Sequence, residues 1–412
     1  MHLKYLQIVN YKNLKSVRFQ FEKGVNTIVG ENDTGKSNAM TAIRMLLDDS
    51  FYYNIKRLKE SDFSDSLDDW RGHWIIISAF FDEISTEEKS NEACQVIVPE
   101  RAKENTEFLK SYIRCEDKDF GVITLFIRPQ KNIRYELAAA NNIEEFQKIR
   151  SQIKLTDYEF KYTARAQTDF TDPKMYAKIV GDLVNGKYVS PDEDDEIQLG
   201  GKIEIIDVWK HISVVFIDAL RDVESELHKP KNPIRKIVDA IQSKIKEADK
   251  EDIKQKIRDL NNTISGVDQI ADVGNKINGK LNEMIGLVYS PDITLESQLK
   301  DDLNSVARYL TMIPTNQTDI EQLGLGHLNM IYVALKLVEF ELNRTHELIN
   351  IMIIEEPEAH IHTHIQKTLF ENLNETQYYT QVLMTTHSTH LSEVSDISKM
   401  NILKSEKNVT KV

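Results

Sequence analysis

The sequence predicts an α/β fold of the P-loop nucleotide-binding class, with a β-rich amino-terminal lobe and a helical insert. Three observations carry this. Gly30-Glu31-Asn32-Asp33-Thr34-Gly35-Lys36-Ser37 reads G-x-x-x-x-G-K-S, and it sits between the β-prone run Val25 to Val29 and a helix-forming segment, Asn38 to Leu47. A second apolar run, Leu348 to Ile354, ends in Glu355-Glu356-Pro357-Glu358. Between the two, residues 224–312 place apolar side chains at steps of three and four, the period of a helix. The chain therefore divides into a first ATPase part, 1–223, a helical arm, 224–312, and a second ATPase part, 313–412.

Each residue of the glycine loop has a chemical reason. Gly30 and Gly35 let the backbone turn tightly, so that N–H groups from Asn32, Asp33, Thr34 and Asn38 can close around phosphates at a helix N-terminus. Lys36 is expected to reach the β- and γ-phosphates, and the Ser37 hydroxyl to hold Mg²⁺. The motif alone allows ATP or GTP.

Composition sets the class. The chain has 412 residues, 41% hydrophobic, enough for a large core and roughly two to three domains. Only Cys94 and Cys115 are present, so a disulfide framework is not expected and a cytoplasmic, reducing setting is. No apolar run reaches the roughly 18 residues of a membrane span. The first residues lack a signal-peptide core. With a net charge of −14, contact with DNA would have to be a local basic patch.

Taken in order, Leu3 to Phe21 alternates apolar and polar residues around Tyr11-Lys12-Asn13-Leu14-Lys15, predicting a strand pair leading into the phosphate-loop strand. Trp74 to Phe81 and Gly121 to Arg128 read as further strands, and patterning around 140–200 is weak. The acidic run Asp192 to Glu196 reads as a solvated loop. Ser213 to Ile217 is a strand, followed by Asp218. In the arm, Ile234, Ile237, Ile241, Ile245, Ile253, Ile257, Leu260, Ile264 and Val267 form a helical stripe, with breaks expected at Asn261-Asn262 and Ser265-Gly266. Ile277, Leu281 and Ile285 begin a returning helix. Residues 229–258 hold ten Lys/Arg against five Asp/Glu, either a solvated face or a patch for DNA phosphates.

The second half of the nucleotide site lies near the carboxyl end. An apolar strand delivering a pair of acids lets Glu355 orient Mg²⁺ and Glu356 polarise the attacking water. A helix is expected from about Ala359 to Leu373. Thr380 to Met384 is a buried strand, and His387 after it can contact the γ-phosphate. Gln322 to Asn329 is a glycine-rich turn opening a helix, where Gly324 and Gly326 make a second anion site that could close on the ATP of the other subunit in a homodimer. His360, His362 and His364 invite a metal reading, but no third Cys or acidic ligand accompanies them.

The combination of Gly30-Glu31-Asn32-x-x-Gly35-Lys36-Ser37-Asn38, Glu355-Glu356-Pro357-Glu358-Ala359-His360-Ile361-His362 and Thr386-His387-Ser388 resembles the ATPase region of the OLD (overcoming lysogenization defect) nucleases. These are ABC-type ATPases related to RecF and the SMC proteins. The resemblance spans nearly the whole chain, and its acid–proline–histidine element is its specific part. It implies an ABC/SMC-type ATPase with a helical dimerisation insert, ATP and Mg²⁺ as cofactors, and DNA as a partner. It also implies a Toprim nuclease domain or a separate nuclease subunit, and roles in anti-phage defence that include Gabija-like and retron-linked systems. Gly324 stands where ABC proteins usually place serine, a departure from the pattern. No Toprim acid cluster follows the last expected strand before Val412, so the nuclease is expected from a longer gene product or a second chain, as in PARIS-like systems. A RecF-like DNA clamp without nuclease activity is the alternative.

Overall fold

A computed structural model describes residues 1–51, 57–83, 121–218, 233–241, 244–285, 294–300, 310, 324–343, 349–358, 366, 371, 381–387, 396–406 and 409–412. Cys94, Cys115, Ser388, the three histidines at 360, 362 and 364, and nearly all of the helix expected from Ala359 to Leu373 lie outside them. The chain forms two compact units: Met1–Leu220 with Arg344–Val412, and Arg221–Asn343.

The first unit is α/β, built on two six-stranded sheets. The antiparallel sheet takes β1 (His2–Tyr11), β2 (Leu14–Gln20), β4 (Ile75–Asp82), β5 (Gly121–Pro129), β6 (Tyr158–Ala164) and β7 (Gly201–Lys202), in the order β2-β1-β4-β5-β6-β7. The second sheet has the order β12-β11-β3-β10-β9-β8. Its parallel strands are β3 (Gly24–Gly30), β8 (Ile212–Ile217), β9 (Ile349–Glu355), β10 (Gln381–Thr386) and β11 (Met400–Glu406), and β12 (Val409–Lys411) runs antiparallel at the edge. The continuous apolar runs of β9 and β10 suit strands covered on both faces.

The helix Lys36–Leu47 packs against β1, β4 and β5 of one sheet and β3 and β8 of the other. Ala39, Met40, Ala42, Ile43, Met45, Leu46 and Leu47 are all buried, because this helix has apolar neighbours on both sides. Its carboxyl end leaves carbonyls with no partner inside the helix. Tyr162 Oη donates to the Met45 carbonyl at 3.1 Å and Trp209 Nε1 to that of Leu46 at 3.0 Å.

Two buried amide side chains stitch the sheets together. Gln381 Oε1 accepts from Leu3 N at 2.7 Å while its Nε2 donates to Leu3 O at 2.7 Å, tying β10 to β1. Asn401 repeats the device with Gln20, at 3.0 and 2.8 Å, tying β11 to β2.

The expected alternation along β1 is not what the strand shows. Nearly all its residues are buried, because the phosphate-loop helix packs on β1 and Gln7 on β1 also bonds Asp169 at 2.9 Å. The weakly patterned region holds the helices Ile143–Gln152 and Pro173–Val180 as well as β6. The acidic run is not simply a solvated loop. Arg134 forks onto the Asp194 carboxylate at 2.9 and 3.1 Å, Asp192 accepts from Tyr135 Oη, and Asp195 caps a short helix through Ile197 N at 2.8 Å.

The second unit is helical. Among the described residues its helices are Pro233–Ile241, Glu247–Ser265, Asp268–Ile285 and Leu325–Asn343, the first packing on the last. The helix runs through Asn261-Asn262 and stops at Gly266, while Ile245 falls between helices. Helix Glu247–Ser265 has no buried residue. Its cations sit beside acids one turn away: Lys250 with Glu247, Lys254 with Glu251, Lys256 with Asp252. Such pairing is the mark of a solvated helical face. Glu339, almost fully buried, binds Lys236 and Lys336, each at 2.9 Å.

Candidate functional site

The site lies where β3, β10 and β9 end side by side. Thr386 is in register with Val29, and Thr385 with Glu355, so the phosphate loop, His387 and the acid pair emerge at one sheet edge. Carboxyl ends of parallel strands are where open α/β sheets bind ligands. Placing β10 between the other two puts His387 between Lys36 and Glu356.

Gly35 caps the helix with φ of +97°, a left-handed conformation that disfavours a side chain. A Cβ there would stand 2.6 Å from Asn13 Oδ1 and 2.9 Å from Leu14 Cδ2. Asn13, predicted only as a turn residue, holds the loop from beneath. It donates to the Asp33 carbonyl at 2.9 Å and accepts from Asn38 Nδ2 at 2.8 Å. Thr34 is buried, with its hydroxyl on Glu31 O at 2.8 Å and its own carbonyl bonded by Thr410 Oγ1 at 2.7 Å. Asn32 and Asp33 are exposed at the loop, and Asp33 has φ of +62°.

Lys36 Nζ donates to the carbonyls of Gly30 at 2.8 Å and Glu31 at 2.9 Å, and stands 3.3 Å from His387 Nδ1. His387 Nε2 is 2.8 Å from Glu356 Oε1. An ammonium can only donate, so Nδ1 accepts and Nε2 carries the proton toward Glu356. Burial lowers the pKa of Lys36, opposed by Glu356, Glu358, Asp33 and Glu355.

Glu356 has φ of +44°, uncommon for a residue with a side chain, and its N–H is held by the Thr385 carbonyl at 3.1 Å. Such a bend just past the strand turns consecutive carboxylates apart. Backbone strain of this kind, about 1–3 kcal/mol, concentrates at functional sites. Glu358 Oε1 accepts from Thr386 Oγ1 at 2.6 Å and from His387 N at 2.8 Å, which fixes the end of β10.

Glu355 is half-buried, and burial raises its pKa. A hydrogen bond from Ser37 works against that, while Asp218 and Glu356 push it further up. Asp218 follows Ile217, which pairs with Ile354, so two strand-end acids come together. A hydroxyl beside a desolvated carboxylate is the hard oxygen set that suits Mg²⁺. Among the described residues, no group of three or more His, Cys, Asp or Glu converges as a metal cage would require. One carboxylate, one hydroxyl and substrate phosphates are the usual Mg²⁺ arrangement. The residues therefore fit the ion.

Ten of the candidates from the sequence share this edge: Gly30, Asn32, Asp33, Thr34, Gly35, Lys36, Ser37, Glu355, Glu356 and His387, with Asn38 on the helix behind. Gly324 and Gly326 belong to the other unit, at the start of helix Leu325–Asn343. Asn13 and Asp218 were missed. A strand-end acid after Ser213 to Ile217 was a signal for Asp218; nothing local marked Asn13.

A glycine loop, two strand-end acids and a strand-end histidine on one parallel sheet define a P-loop ATPase. The chain belongs to the AAA ATPase domain family, which it matches over residues 1–391. It is similar to the DNA replication and repair protein RecF of Clostridium kluyveri, 30% identical over 70 residues, 17% of each chain. It is also similar to the endonuclease GajA of Bacillus cereus, 24% identical over 124 residues, 27% of this chain and 18% of that one. Both matches thus cover less than a fifth of the relative's length. A solved Smc head domain from Pyrococcus furiosus, bound to the C-terminal domain of ScpA, is similar at 13% identity, covering 100% of this chain and 95% of that one with a TM-score of 0.48. Among the described residues no helix is long and apolar enough to cross a membrane.

Proposed function

We propose that this chain is an ABC-type ATPase of the SMC, RecF and OLD kind, binding and hydrolysing ATP to control work on DNA. The observation that carries the reading is the hydrogen-bonded run Lys36–His387–Glu356 at the mouth of the glycine loop. In this reading Lys36 exchanges the Gly30 and Glu31 carbonyls for β- and γ-phosphate oxygens. Ser37 and Glu355 hold Mg²⁺, which when bound neutralises charge on those phosphates. Glu356 accepts the proton of the attacking water, and His387 orients it through Nε2–H. The amides at Gly324 and Gly326 serve as an anion site at a helix start, closing on the ATP of the other subunit in a homodimer.

The resemblance to OLD nucleases and the match to GajA support control of a Toprim nuclease, in the same gene product or a partner, in anti-phage defence. The RecF match favours a second reading, a DNA clamp whose ATP cycle sets loading rather than cutting. One experiment addresses both. Purified 1–412 should hydrolyse ATP with Mg²⁺, and Glu356→Gln should keep binding while lowering turnover at least about 10²-fold, as expected for loss of a general base. Plasmid nicking should be absent from 1–412 alone and appear when a Toprim chain from the same locus is added. ATP turnover within twofold of wild type in Glu356→Gln would sink the assignment. Nicking that follows 1–412 through purification would place a nuclease site inside this chain.

A further inference from the structure

The antiparallel sheet of the first unit carries a cavity of about 1100 Å³ between helix Lys131–Ala138, β6 and residues 191–206. None of the nucleotide-site residues lines it. Its floor is charged. Arg128 and Arg134 are each 2% exposed and both stack on Trp74, at 4.8 and 5.3 Å from the ring. Their partners are Glu159, 2.9 Å from Arg128 Nε, and Asp194, which Arg134 grips with both terminal nitrogens.

Lys161 on β6 shares this floor. Its neighbours include both arginines and both acids, three cations against two anions. The two acids are already taken by the arginines. No side-chain hydrogen bond or ion pair reaches the Lys161 ammonium among the described residues. Burial lowers its pKa first; Arg128 and Arg134 add to that, while Asp194 and Glu159 oppose it. A half-buried ammonium is costly unless an anion answers it. Lys131 and Lys202 also line the cavity, as do Glu196 and Glu204, and Lys202 contacts Glu204 in an exposed pair at 3.3 Å. Leu155, Ile203 and Ile205 supply an apolar wall beside the charges. The volume lies just above the roughly 300–1,000 Å³ of small-molecule sites.

We propose that this cavity binds a phosphorylated small molecule of nucleotide size, its phosphate on Lys161 and its body along the Leu155–Ile203–Ile205 wall. The site is separate from the phosphate loop, so the two can be loaded independently. Arg128 and Arg134 hold the floor in place through Trp74 and Asp194, and Lys161 supplies the free charge.

The test uses the full chain carrying Lys36→Ala, which removes the phosphate-loop cation. Pyrophosphate and AMP are titrated in by calorimetry. Binding should persist, weaken at least about tenfold in Lys161→Gln, and stay within about threefold in Lys161→Arg, as for loss or retention of a charged hydrogen-bond partner. Without ligand, Lys161→Gln should melt at or above the parent temperature, because it removes an uncompensated charge. Failure of both probes to bind the folded Lys36→Ala chain at millimolar concentration would overturn the proposal. So would binding unchanged by Lys161→Gln, or a Lys161→Gln chain that melts lower, since either makes Lys161 a structural residue.

Discussion

Lys36 Nζ stands 3.3 Å from His387 Nδ1, joining the phosphate-loop helix to the end of β10 across 351 residues of chain. The contact makes the lysine a member of two sets at once, the loop carbonyls and the Glu356–His387 pair. In the function proposed above, nucleotide binding draws Lys36 out of the first set.

Removing that ammonium should therefore act on binding before chemistry. Lys36→Ala is expected to weaken ATP at least about tenfold, the loss of a charged phosphate contact. Calorimetric titration checks it; a Kd unchanged from wild type would remove Lys36 from the phosphate site.

Glu358 is expected to act through His387 and not on substrate. It holds the His387 amide and the Thr386 hydroxyl with one oxygen, so Glu358→Ala should free the histidine that is bonded to Glu356. The expected result is kcat down by about tenfold with KM within about threefold, since binding groups are untouched. A rise in KM at constant kcat would assign Glu358 to binding.

Gln381 is a stability prediction. The side chain is fully buried and bonds Leu3 N, Leu3 O and Glu22 O. Gln381→Leu leaves those backbone groups unpaired, at about 2–4 kcal/mol. Urea unfolding should move to a lower midpoint at constant slope. A midpoint within error of wild type would mean the sheets are held without this stitch.

Acid should destabilise the first unit between pH 6.5 and 4. Burial, and then Arg150, push the His73 pKa down to about 4, with its Nδ1 3.2 Å from Tyr176 Oη. Asp69 opposes this and Lys15 adds to it. Because the folded value lies below the unfolded one, stability is full above about 6.5 and falls as the unfolded chain takes up the proton. The loss reaches about 3 kcal/mol near pH 4. His2, lowered by burial against Glu83 and Asp82, works in the same direction. Urea midpoints at pH 7, 6 and 5 should fall in wild type and fall less in His73→Leu; equal slopes would clear His73 of the effect.

The sequence by itself determined the elements whose signal is local. The glycine loop is written in eight consecutive residues, and Leu348 to Glu356 carries a buried strand and its acids without interruption. Helical period in the arm likewise shows at steps of three and four. Tertiary structure decided which elements are neighbours. A period of two or 3.6 residues states what a segment is, and contains nothing about what lies beside it. Only strand order places β10 between β3 and β9, and with it His387 between Lys36 and Glu356. Only folding brings Asn13, an ordinary turn residue, under Gly35, and Gln381 against Leu3. The acidic run Asp192 to Glu196 looked solvated because its partners, Arg128 and Arg134, lie some 60 residues away in sequence. Hydrogen bonds and ion pairs of that kind depend on distance in space, and it is these contacts that complete the site.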